Sequence, residues 1–435
     1  MAEDGITQVV ICGGGFAGVA CAQRLAGEPR VRVTLLDQTG QHEFQPLLYQ
    51  VATAELTSSD MCFDLRRVFR RQERVQVRTA EVVAVDPPAG TVTLAGQERL
   101  AGDYLVLAAG CQPNFFHVPG AAEHAFPLYR LAGAERIRAQ LLSLFADAAA
   151  KPELIDEGGL TFVVIGSGPT GVEAAGALAD LVQDVLPHAY QQLAVSAAQI
   201  ILVDRGPAVL AAFSDQSHAY AANQLARRGV QLRLGVAAGE VGPGHVRLGD
   251  GSTIPTRLAI WAGGEMAAPL AARTGVSTGR GGRIDVNPDL TVPGFPALYA
   301  VGDLANIPAS AGGALPQLGS VAQQSGDWAA RNIIAELESG PGARQGFHYH
   351  DKGIMAMIGR QAAVAELGSH RHELTGRLAF ATWLGVHLEL LANANAEIRA
   401  FLAWANEFYL RPHHRSAKLL DPAEVDTPRI DWSAA

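Results

Sequence analysis

The stretch VVICGGGFAG, at Val9–Gly18, predicts the start of a dinucleotide-binding fold. Its apolar first half is typical of a strand, and Gly13, Gly15 and Gly18 follow with the spacing G-x-G-x-x-G. In such a unit, the first glycine makes the tight turn, the second lets the backbone approach a pyrophosphate, and the third lets helix and strand pack closely. The N-terminus of the following helix offers free N–H groups to the phosphates. The stretch therefore predicts a Rossmann-type unit.

An acidic residue completes this first unit. The apolar run VRVTLLD predicts a second strand that ends at Asp37, 19 residues after Gly18. An acid at about this spacing accepts hydrogen bonds from a ribose of the dinucleotide. We therefore expect Asp37 to bind the ribose of the first dinucleotide.

The same pattern returns as VVIGSGPTG at Val163–Gly171, and the next apolar strand ends at Asp204. Asp204 lies 33 residues after Gly171, farther than the usual spacing of about 20, which a longer helix and loop would explain. A carboxylate there repels a 2′-phosphate and favours NADH over NADPH. Arg205 beside it favours the opposite, so the sequence leaves the preference moderate.

Three further strand ends support two nucleotide sites. DYLVLAAG ends at Gly110, RLAIWAGG ends at Gly264, and ALYAVGDLAN carries Asp303 directly after a strand. A Gly-Asp pair alone is more often a hairpin turn, but after two dinucleotide units we expect it to bind a cofactor. A chain that holds a flavin dinucleotide in one unit and a nicotinamide dinucleotide in the other can pass a hydride between them.

Composition limits the other possibilities. A chain of 435 residues predicts two or three domains, and 48% hydrophobic with 18% charged residues is typical of folded globular proteins. The net charge of −9 makes nucleic acid an unexpected partner. The N-terminus has no signal-peptide pattern, and no stretch reaches 18 uninterrupted apolar residues. We therefore expect a cytoplasmic protein.

Cysteine and histidine usage predicts neither a redox disulfide nor a metal site. The four cysteines, Cys12, Cys21, Cys62 and Cys111, form no C-x-x-C pair. Cys12 and Cys21 are expected to be small buried apolar residues. The histidines are scattered and lack a metal-binding motif.

Beyond these motifs, the chain resembles the flavoproteins with two dinucleotide-binding domains, which include glutathione-reductase-like enzymes. Within them it is most similar to the type II NADH dehydrogenases, the non-pumping NADH:quinone oxidoreductases. Three stretches carry this closer resemblance: HEFQPLLYQVATAEL at His42–Leu56, YHDKGIMAMIGRQAAVAELG at Tyr349–Gly368, and GRLAFATWLGVHLELL at Gly376–Leu391. The resemblance covers nearly the whole chain.

The resemblance implies an α/β fold with two Rossmann-like domains and a C-terminal α+β domain. The expected FAD-binding domain is discontinuous, over residues 1–122 and 268–345. The expected NADH-binding domain covers 123–267, and the C-terminal domain covers 346–435. It also implies that NADH gives a hydride to the flavin and that a quinone then takes two electrons.

The residues expected to bind FAD or NADH fall at the strand ends and glycine turns. They are Gly13, Gly15, Phe16, Ala17, Gly18, Asp37, Pro46, Ala109, Gly110, Gly166, Gly168, Pro169, Thr170, Gly171, Asp204, Gly264, Gly302, Asp303, Gln317 and Leu318. A helix expected after GALPQLGS would stabilise the negative charge of the reduced flavin through its N-terminus.

By the same resemblance, Glu173 and Lys352 match catalytic positions of the family, near the nicotinamide and quinone and near the flavin respectively. From the residues alone, Glu173 would complement a helix dipole and Lys352 would be solvated. The family usually has A-Q-x-A-x-Q where this chain has GSVAQQ, at Gly319–Gln324. Ser320 therefore replaces the first glutamine of the quinone site, and Gln324 retains the second.

The C-terminal segment 394–420 carries apolar residues near one helical face. Such a helix binds a membrane surface, packs on the main body of the protein or contacts a second subunit in a homodimer. The resemblance favours peripheral contact with the inner face of the cell membrane.

Three other functions are weighed against this one. A sulfide:quinone oxidoreductase needs cysteines late in the chain, and none follows Cys111. A soluble FAD/NAD(P)H reductase would act on a quinone-like metabolite or a protein carrier in a biosynthetic pathway. A redox-responsive FAD-binding protein without turnover would not need the second glycine turn, which is intact at Gly166–Gly171.

Overall fold

The computed structural model describes residues 5–310 and 312–390. The chain divides into two compact units, each made of three segments. The first unit comprises Met1–Glu43, Phe63–Gln112 and Glu265–His350, and the second comprises Phe44–Cys62, Pro113–Gly264 and Asp351–Ala435. The domain boundaries expected from the sequence remain a prediction.

The first unit is built on a six-stranded sheet. Its strands, in spatial order, are Thr291–Val292, Phe295–Ala300, Tyr104–Leu107, Thr7–Cys12, Val31–Asp37 and Val75–Thr79. All neighbours pair in parallel except the edge strand Thr291–Val292. Because parallel strands end at one edge, the residues that follow Cys12, Asp37, Leu107 and Ala300 lie along the same side of the sheet.

Two helices pack closely against each other beside this sheet, Phe16–Leu25 and Gly319–Ser339. A side chain at Gly326 would overlap the carbonyl group of Ala17, so only glycine allows this approach. Cys12 and Cys21 are free cysteines in this core, and their predicted burial is confirmed.

Shorter elements complete the first unit. Val82–Asp86, Thr91–Leu94 and Arg99–Ala101 form an antiparallel sheet, and Ile284–Asp285 pairs in parallel with Ala305–Asn306. The remaining short strands and helices of this unit and its borders are Gln41–Glu43, Cys62–Asp64, Leu65–Val68, Cys111–Pro113, Glu265–Ala267, Ala272–Thr274, Arg280–Gly282, Gly302–Leu304 and Pro341–Ala343.

The second unit contains a five-stranded parallel sheet. Its strands, in spatial order, are Phe126–Pro127, Leu258–Trp261, Thr161–Ile165, Gln199–Asp204 and Val230–Leu234. The helix Pro169–Asp180 follows the central strand and continues through Leu181–Val185 and Leu186–Ala189, with a further turn at Val195–Ala197. These extra turns account for the 33 residues between Gly171 and Asp204.

Further elements surround this sheet. The helices are Leu131–Ala150 and Asp215–Arg227, with the short helices Gln45–Leu47, Leu48–Ala52, Ser58–Met61, Ala121–His124 and Pro152–Ile155. Ala238–Gly242, His245–Leu248 and Thr253–Pro255 form an antiparallel sheet.

The end of the described chain adds a second antiparallel sheet to this unit. It consists of Gly353–Gly359, Ala362–Leu367 and His372–Thr375, followed by the helix Gly376–Glu389. The helix Pro169–Asp180 packs directly on this sheet. Gly176 permits this close approach, because a side chain there would overlap the carbonyl group of Ile358. Within the described residues, no helix has the length and apolar character needed to cross a membrane.

Candidate functional site

The three glycines of the first turn have different roles: Gly13 and Gly18 are required by packing within the protein, and Gly15 faces open space. Gly13 has φ +117°, and a side chain there would overlap the carbonyl oxygen of Ala108. A side chain at Gly18 would overlap the carbonyl oxygen of Gly13. A Cβ at Gly15 meets no heavy atom within 4 Å and has an ordinary extended backbone. Packing within the protein explains the outer two glycines, whereas the middle one leaves room for the close approach of a phosphate.

Asp37 fastens the turn to the end of the neighbouring strand. Its Oδ2 accepts a hydrogen bond from the backbone N–H of Gly14 at 2.9 Å. Its Oδ1 accepts from the N–H and hydroxyl of Thr39, both at 2.8 Å, and from the N–H of Gly40 at 2.9 Å. The predicted ribose-binding acid therefore already has a fixed orientation.

His42 holds the same turn from the other side, a contact that the motif alone does not reveal. Its Nδ1 lies 2.9 Å from the carbonyl oxygen of Gly14, and its ring contacts Phe16 edge-on at 5.3 Å between centroids. Burial lowers the pKa of His42 below its usual value. The neutral ring with its proton on Nδ1 can donate to Gly14.

Asp303 stands at the carboxyl edge of the same sheet. Gly302 has φ +64° and donates its N–H to Ser325 Oγ at 3.0 Å, and the Gln317 amide donates to the Asp303 carbonyl oxygen at 3.2 Å. Among the described residues, the buried Oδ1 of Asp303 has no hydrogen-bond partner. An unpaired buried carboxylate oxygen calls for a donor such as a ligand hydroxyl.

Two residues distant in sequence surround that carboxyl group. Cys111 Sγ lies 3.1 Å from Glu265 Oε2 and 3.6 Å from Asp303 Oδ2. Burial raises the pKa of Glu265, and the charge of Asp303 acts in the same direction; burial also raises the pKa of Asp303. One atom of each residue lies within 4.8 Å of the others, a spacing that a metal ion could use, although the sequence predicted no metal site.

The second glycine turn repeats the main contacts of the first. Gly166 has φ +105° and would overlap the carbonyl of Ala262 if it carried a side chain, as Gly171 would overlap the carbonyl of Gly166. A Cβ at Gly168 meets no heavy atom within 4 Å. Asp204 Oδ2 accepts from the N–H of Ser167 at 2.6 Å, the counterpart of the bond between Asp37 and Gly14. Both turns therefore leave the same kind of space at the middle glycine for a phosphate.

Glu173 lies on the helix that follows this second turn and is only 8% exposed. Its Oε1 accepts a hydrogen bond from the backbone N–H of Met357 at 3.1 Å. Burial raises the pKa of Glu173 to about 8, although the Met357 N–H and the Trp383 side chain favour the ionised form. At neutral pH, the Glu173 carboxyl group therefore carries a proton.

Aromatic residues from two other elements complete the surroundings of Glu173. The Tyr49 hydroxyl donates to Met357 Sδ at 3.4 Å and accepts from Gln50 Nε2 at 3.1 Å. The Trp383 ring stacks on His387, with 3.8 Å between centroids. Burial lowers the pKa of His387 to about 4, so this ring is neutral. Both residues lie in stretches that carry the family resemblance, but no sequence motif identifies Tyr49 or Trp383 as part of the site.

The residues predicted for the quinone have partners of their own. Ser320 Oγ lies 2.9 Å from the Tyr349 hydroxyl. The Gln324 amide donates to the carbonyl oxygen of His350 at 3.0 Å and accepts from its N–H at 2.9 Å. Gln324 thus holds the backbone at His350. The helix also begins at Gly319 instead of after Ser320, which corrects the expected start and puts Ser320 in its first turn.

The other predicted positions divide between the two units. Ala109 and Gly110 follow a strand of the first unit, where the Gly110 carbonyl accepts from Ala268 N at 3.1 Å. Pro46 belongs to a short helix of the second unit. Lys352 is exposed in the second unit. Gly264 lies in the second unit and donates its N–H to the Tyr129 hydroxyl at 3.1 Å. The remaining predicted positions are Ala17, which is buried; Pro169 and Thr170, in the first turn of their helix; and Leu318, the residue before Gly319–Ser339.

Comparison with known proteins shows which family this chain belongs to. Residues 7–326 match the model described as pyridine nucleotide-disulphide oxidoreductase. The chain is 34% identical to the type II NADH:quinone oxidoreductase NdhA of Mycobacterium tuberculosis, over 96% of this chain and 90% of that protein. It is also 27% identical to the type II NADH:quinone oxidoreductase of Haemophilus influenzae, over 87% of this chain and 92% of that protein.

Solved structures agree on the fold. NDH2 from Plasmodium falciparum in complex with NADH has a TM-score of 0.85 and 18% identity, covering 93% of this chain and 99% of that chain. The sulfide:quinone oxidoreductase of Aquifex aeolicus has a TM-score of 0.73 and 17% identity, covering 94% and 96%. The predicted fold of two dinucleotide-binding domains is confirmed.

Proposed function

Because the chain belongs to the pyridine nucleotide-disulphide oxidoreductases and, within them, to the type II NADH:quinone oxidoreductases, we propose that it oxidises NADH and reduces a quinone through a bound FAD. The observation that carries this function is the duplicated glycine turn, whose middle glycine faces open space in both copies. Two such turns suit two dinucleotides, one as resident cofactor and one as substrate.

The residues of the first unit fit FAD. Gly15 leaves room for a pyrophosphate, Asp37 is oriented for a ribose, and the unpaired Oδ1 of Asp303 suits a hydroxyl of the ribityl chain. When bound, FAD supplies the redox chemistry by accepting a hydride at N5 and passing two electrons to the acceptor. The N-terminus of the 21-residue helix Gly319–Ser339 stabilises negative charge on the reduced ring.

The second unit binds NADH. Gly168 admits its pyrophosphate, and Asp204 accepts hydrogen bonds from the adenosine ribose and disfavours a 2′-phosphate. NADH is therefore the preferred donor over NADPH. Pro169 starts the helix and has no N–H group, whereas Thr170 in its first turn offers a backbone N–H at the helix N-terminus, where the helix dipole attracts phosphate.

Glu173 holds a proton for the acceptor. Reduction of a quinone by two electrons requires two protons, and a carboxyl group with a pKa of about 8 is protonated at neutral pH and can release its proton. Tyr49 and Trp383 enclose this group and limit its exchange with water. Ser320 and Gln324 contribute to quinone binding, Gln324 by fixing the backbone at His350. Lys352 is exposed, and its role is electrostatic, through the charge of its ammonium group.

A second candidate acceptor has one observation in its favour. Ser320 replaces a glutamine of the family, and its hydroxyl already contacts Tyr349. A quinone-like metabolite or a protein carrier would then replace the respiratory quinone. The acceptor range of the purified enzyme distinguishes the two candidates.

We further propose peripheral contact with an anionic membrane surface. Five arginines are all exposed, whereas Leu65, just before them, and Phe69, among them, are buried: Arg66, Arg67, Arg70, Arg71 and Arg74. This run is basic within a chain of net charge −9, and its arginines suit phosphate headgroups. The amphipathic C-terminal segment 394–420 lies outside the described residues. It remains a second predicted membrane contact, with packing on the main body or on a second subunit of a homodimer as the alternatives.

The membrane proposal is tested by sedimentation with phosphatidylglycerol-containing vesicles. The variant Arg67→Gln/Arg70→Gln should bind less than the parent, and the control Arg227→Gln/Arg273→Gln, which alters two exposed arginines elsewhere, should bind like it. Equal binding of both variants would remove the arginine run from the membrane contact.

One assay series tests the enzymatic function. The purified protein should be yellow with noncovalent FAD, and it should oxidise NADH when a short-chain ubiquinone or menaquinone is added. Rapid reduction of the flavin without any quinone turnover would favour the second candidate acceptor. Absence of bound flavin would contradict the proposed function.

A further inference from the structure

Phe116 is an exposed aromatic residue on an unusual backbone. Its side chain is 48% exposed, one of the few large apolar side chains that the described residues present to solvent. Both Phe116 and His117 have positive φ, +48° and +57°, a conformation that non-glycine residues rarely adopt. Strained backbone of this kind persists only where surrounding contacts impose it, and it concentrates at functional sites.

Hydrogen bonds impose this conformation. Asn114 Oδ1 accepts from the N–H of Phe116 at 2.9 Å, and the N–H of Asn114 donates to the carbonyl oxygen of Gly264 at 3.0 Å. The Trp261 indole donates to the Asn114 carbonyl oxygen at 3.0 Å. The tip of the Phe116 ring rests on Gly264, where a Cβ would lie only 2.7 Å from it. The exposed ring is therefore fixed in place.

The guanidinium group of Arg205 lies over this ring. The guanidinium carbon of Arg205 lies 5.7 Å from the centroid of the Phe116 ring, within the range of a cation–π interaction. Arg205 directly follows Asp204, the predicted ribose-binding acid. The contact with Phe116 therefore determines where the charge of Arg205 lies relative to Asp204.

The contact between Phe116 and Arg205 spans the end of the central strand of the sheet. Gly264 follows the strand Leu258–Trp261, and Arg205 follows the strand Gln199–Asp204. The strand Thr161–Ile165 lies between them, parallel to both, and leads into the glycine turn. The pair of Phe116 and Arg205 therefore joins the two strand ends on either side of the turn that receives the pyrophosphate of a dinucleotide.

We propose that Phe116 holds the Arg205 guanidinium over the diphosphate of bound NADH and thereby keeps this cation away from the 2′ position of the adenosine ribose. This inference rests on the proposed function of the second unit. A guanidinium group pairs strongly with phosphate oxygens. When Arg205 lies over the Phe116 ring, it strengthens binding of the NADH diphosphate. If Arg205 lay beside Asp204 instead, its charge would offset the repulsion between Asp204 and a 2′-phosphate. Phe116 is thus a positioning residue for nucleotide selectivity.

Equilibrium binding tests this without any redox step. The probes are ADP-ribose and its 2′-phosphate analogue, measured by calorimetry on the flavin-loaded protein. In Phe116→Leu, the affinity for the 2′-phosphate analogue relative to ADP-ribose should rise about tenfold, the effect of one charge-assisted hydrogen bond. Phe116→Tyr keeps the ring and should retain the ratio of the parent. Val195→Ala serves as the control, because Val195 is also an exposed apolar residue but precedes the strand Gln199–Asp204, at the end away from Arg205.

A double variant isolates Arg205. Arg205→Gln should weaken ADP-ribose binding about tenfold, and adding Phe116→Leu to it should leave the affinity ratio unchanged. An unchanged ratio in Phe116→Leu, with ADP-ribose still bound, would overturn the inference and leave the proposed function intact. If the parent bound neither probe, both the inference and the NADH site would be wrong.

Discussion

Glu173 Oε1 accepts a hydrogen bond from the backbone N–H of Met357, 3.1 Å away, across 184 residues of sequence. This single bond joins the helix after the second glycine turn to the C-terminal sheet. It leaves the rest of the carboxyl group in a buried environment lined by Tyr49 and Trp383, where the protonated form is favoured. The first two predictions follow from this environment.

Glu173→Gln should slow the reduction of quinone by the reduced flavin about a hundredfold, because a carboxamide keeps the bond to Met357 but cannot supply a proton. Reduction of the flavin by NADH should stay near the parent rate. Stopped-flow measurement of the two half-reactions separates these effects. A loss confined to the NADH half-reaction would contradict the role of Glu173 as proton donor.

The same residue predicts how stability depends on pH. The pKa of Glu173 is raised from 4.5 to about 8 in the folded state, so the unfolded chain releases this proton at lower pH. Its contribution to stability is complete below about pH 4.5 and is lost as pH rises towards 8, a range worth at most about 5 kcal/mol. Denaturant unfolding should show a smaller fall over this range in Glu173→Gln. Parallel curves for parent and variant would argue against a buried neutral carboxyl group.

Gly15→Val and Gly168→Val form a matched pair. A Cβ at either position meets no protein atom within 4 Å, so both variants should fold, while each should block one pyrophosphate. Gly15→Val should be isolated without flavin, and Gly168→Val should remain yellow but show a much higher KM for NADH. Flavin absorbance and NADH titration check both. Stoichiometric FAD in Gly15→Val would refute the assignment of the first turn.

Asp204→Asn should narrow the preference for NADH over NADPH by about tenfold in kcat/KM, since it removes the negative charge but keeps an oxygen that can accept from Ser167 N–H. Asp37→Asn, the same change in the first unit, should leave the ratio alone. The measurement is steady-state kinetics with both nucleotides. An unaltered ratio in Asp204→Asn would mean that another residue discriminates.

Ser320→Gln should lower KM for a short-chain ubiquinone severalfold, because a longer amide adds one hydrogen bond of about 1 kcal/mol to the quinone carbonyl. The rate of flavin reduction by NADH should not change. Tyr349→Phe, which removes only the hydroxyl partner of Ser320, shows how much of any effect comes from breaking that contact. An unchanged KM for the ubiquinone in Ser320→Gln would favour a different acceptor.

Local sequence determined the two glycine turns and their acids. A strand, a turn and a helix N-terminus are built from neighbouring residues, so the spacing of Gly13, Gly15 and Gly18 was enough to predict them. The bond between Asp37 and the turn follows from the same unit, because parallel pairing brings the ends of adjacent strands together. The spacing of the later acid, Asp204, predicted a longer helix and loop before it, and the structure confirms additional helical turns there.

Tertiary structure alone decided the chemistry around those turns. Glu265 lies beside Cys111 and Asp303 although 154 and 38 residues separate it from them, and their altered pKa values arise from burial that no motif encodes. Gln324, expected at a quinone, has both ends of its amide bound to the backbone of His350. The contact of Arg205 with Phe116 depends on the order of strands in a sheet. Proton affinity, hydrogen-bond saturation and ring contacts are set by neighbours in space, and those neighbours come from segments far apart in the chain.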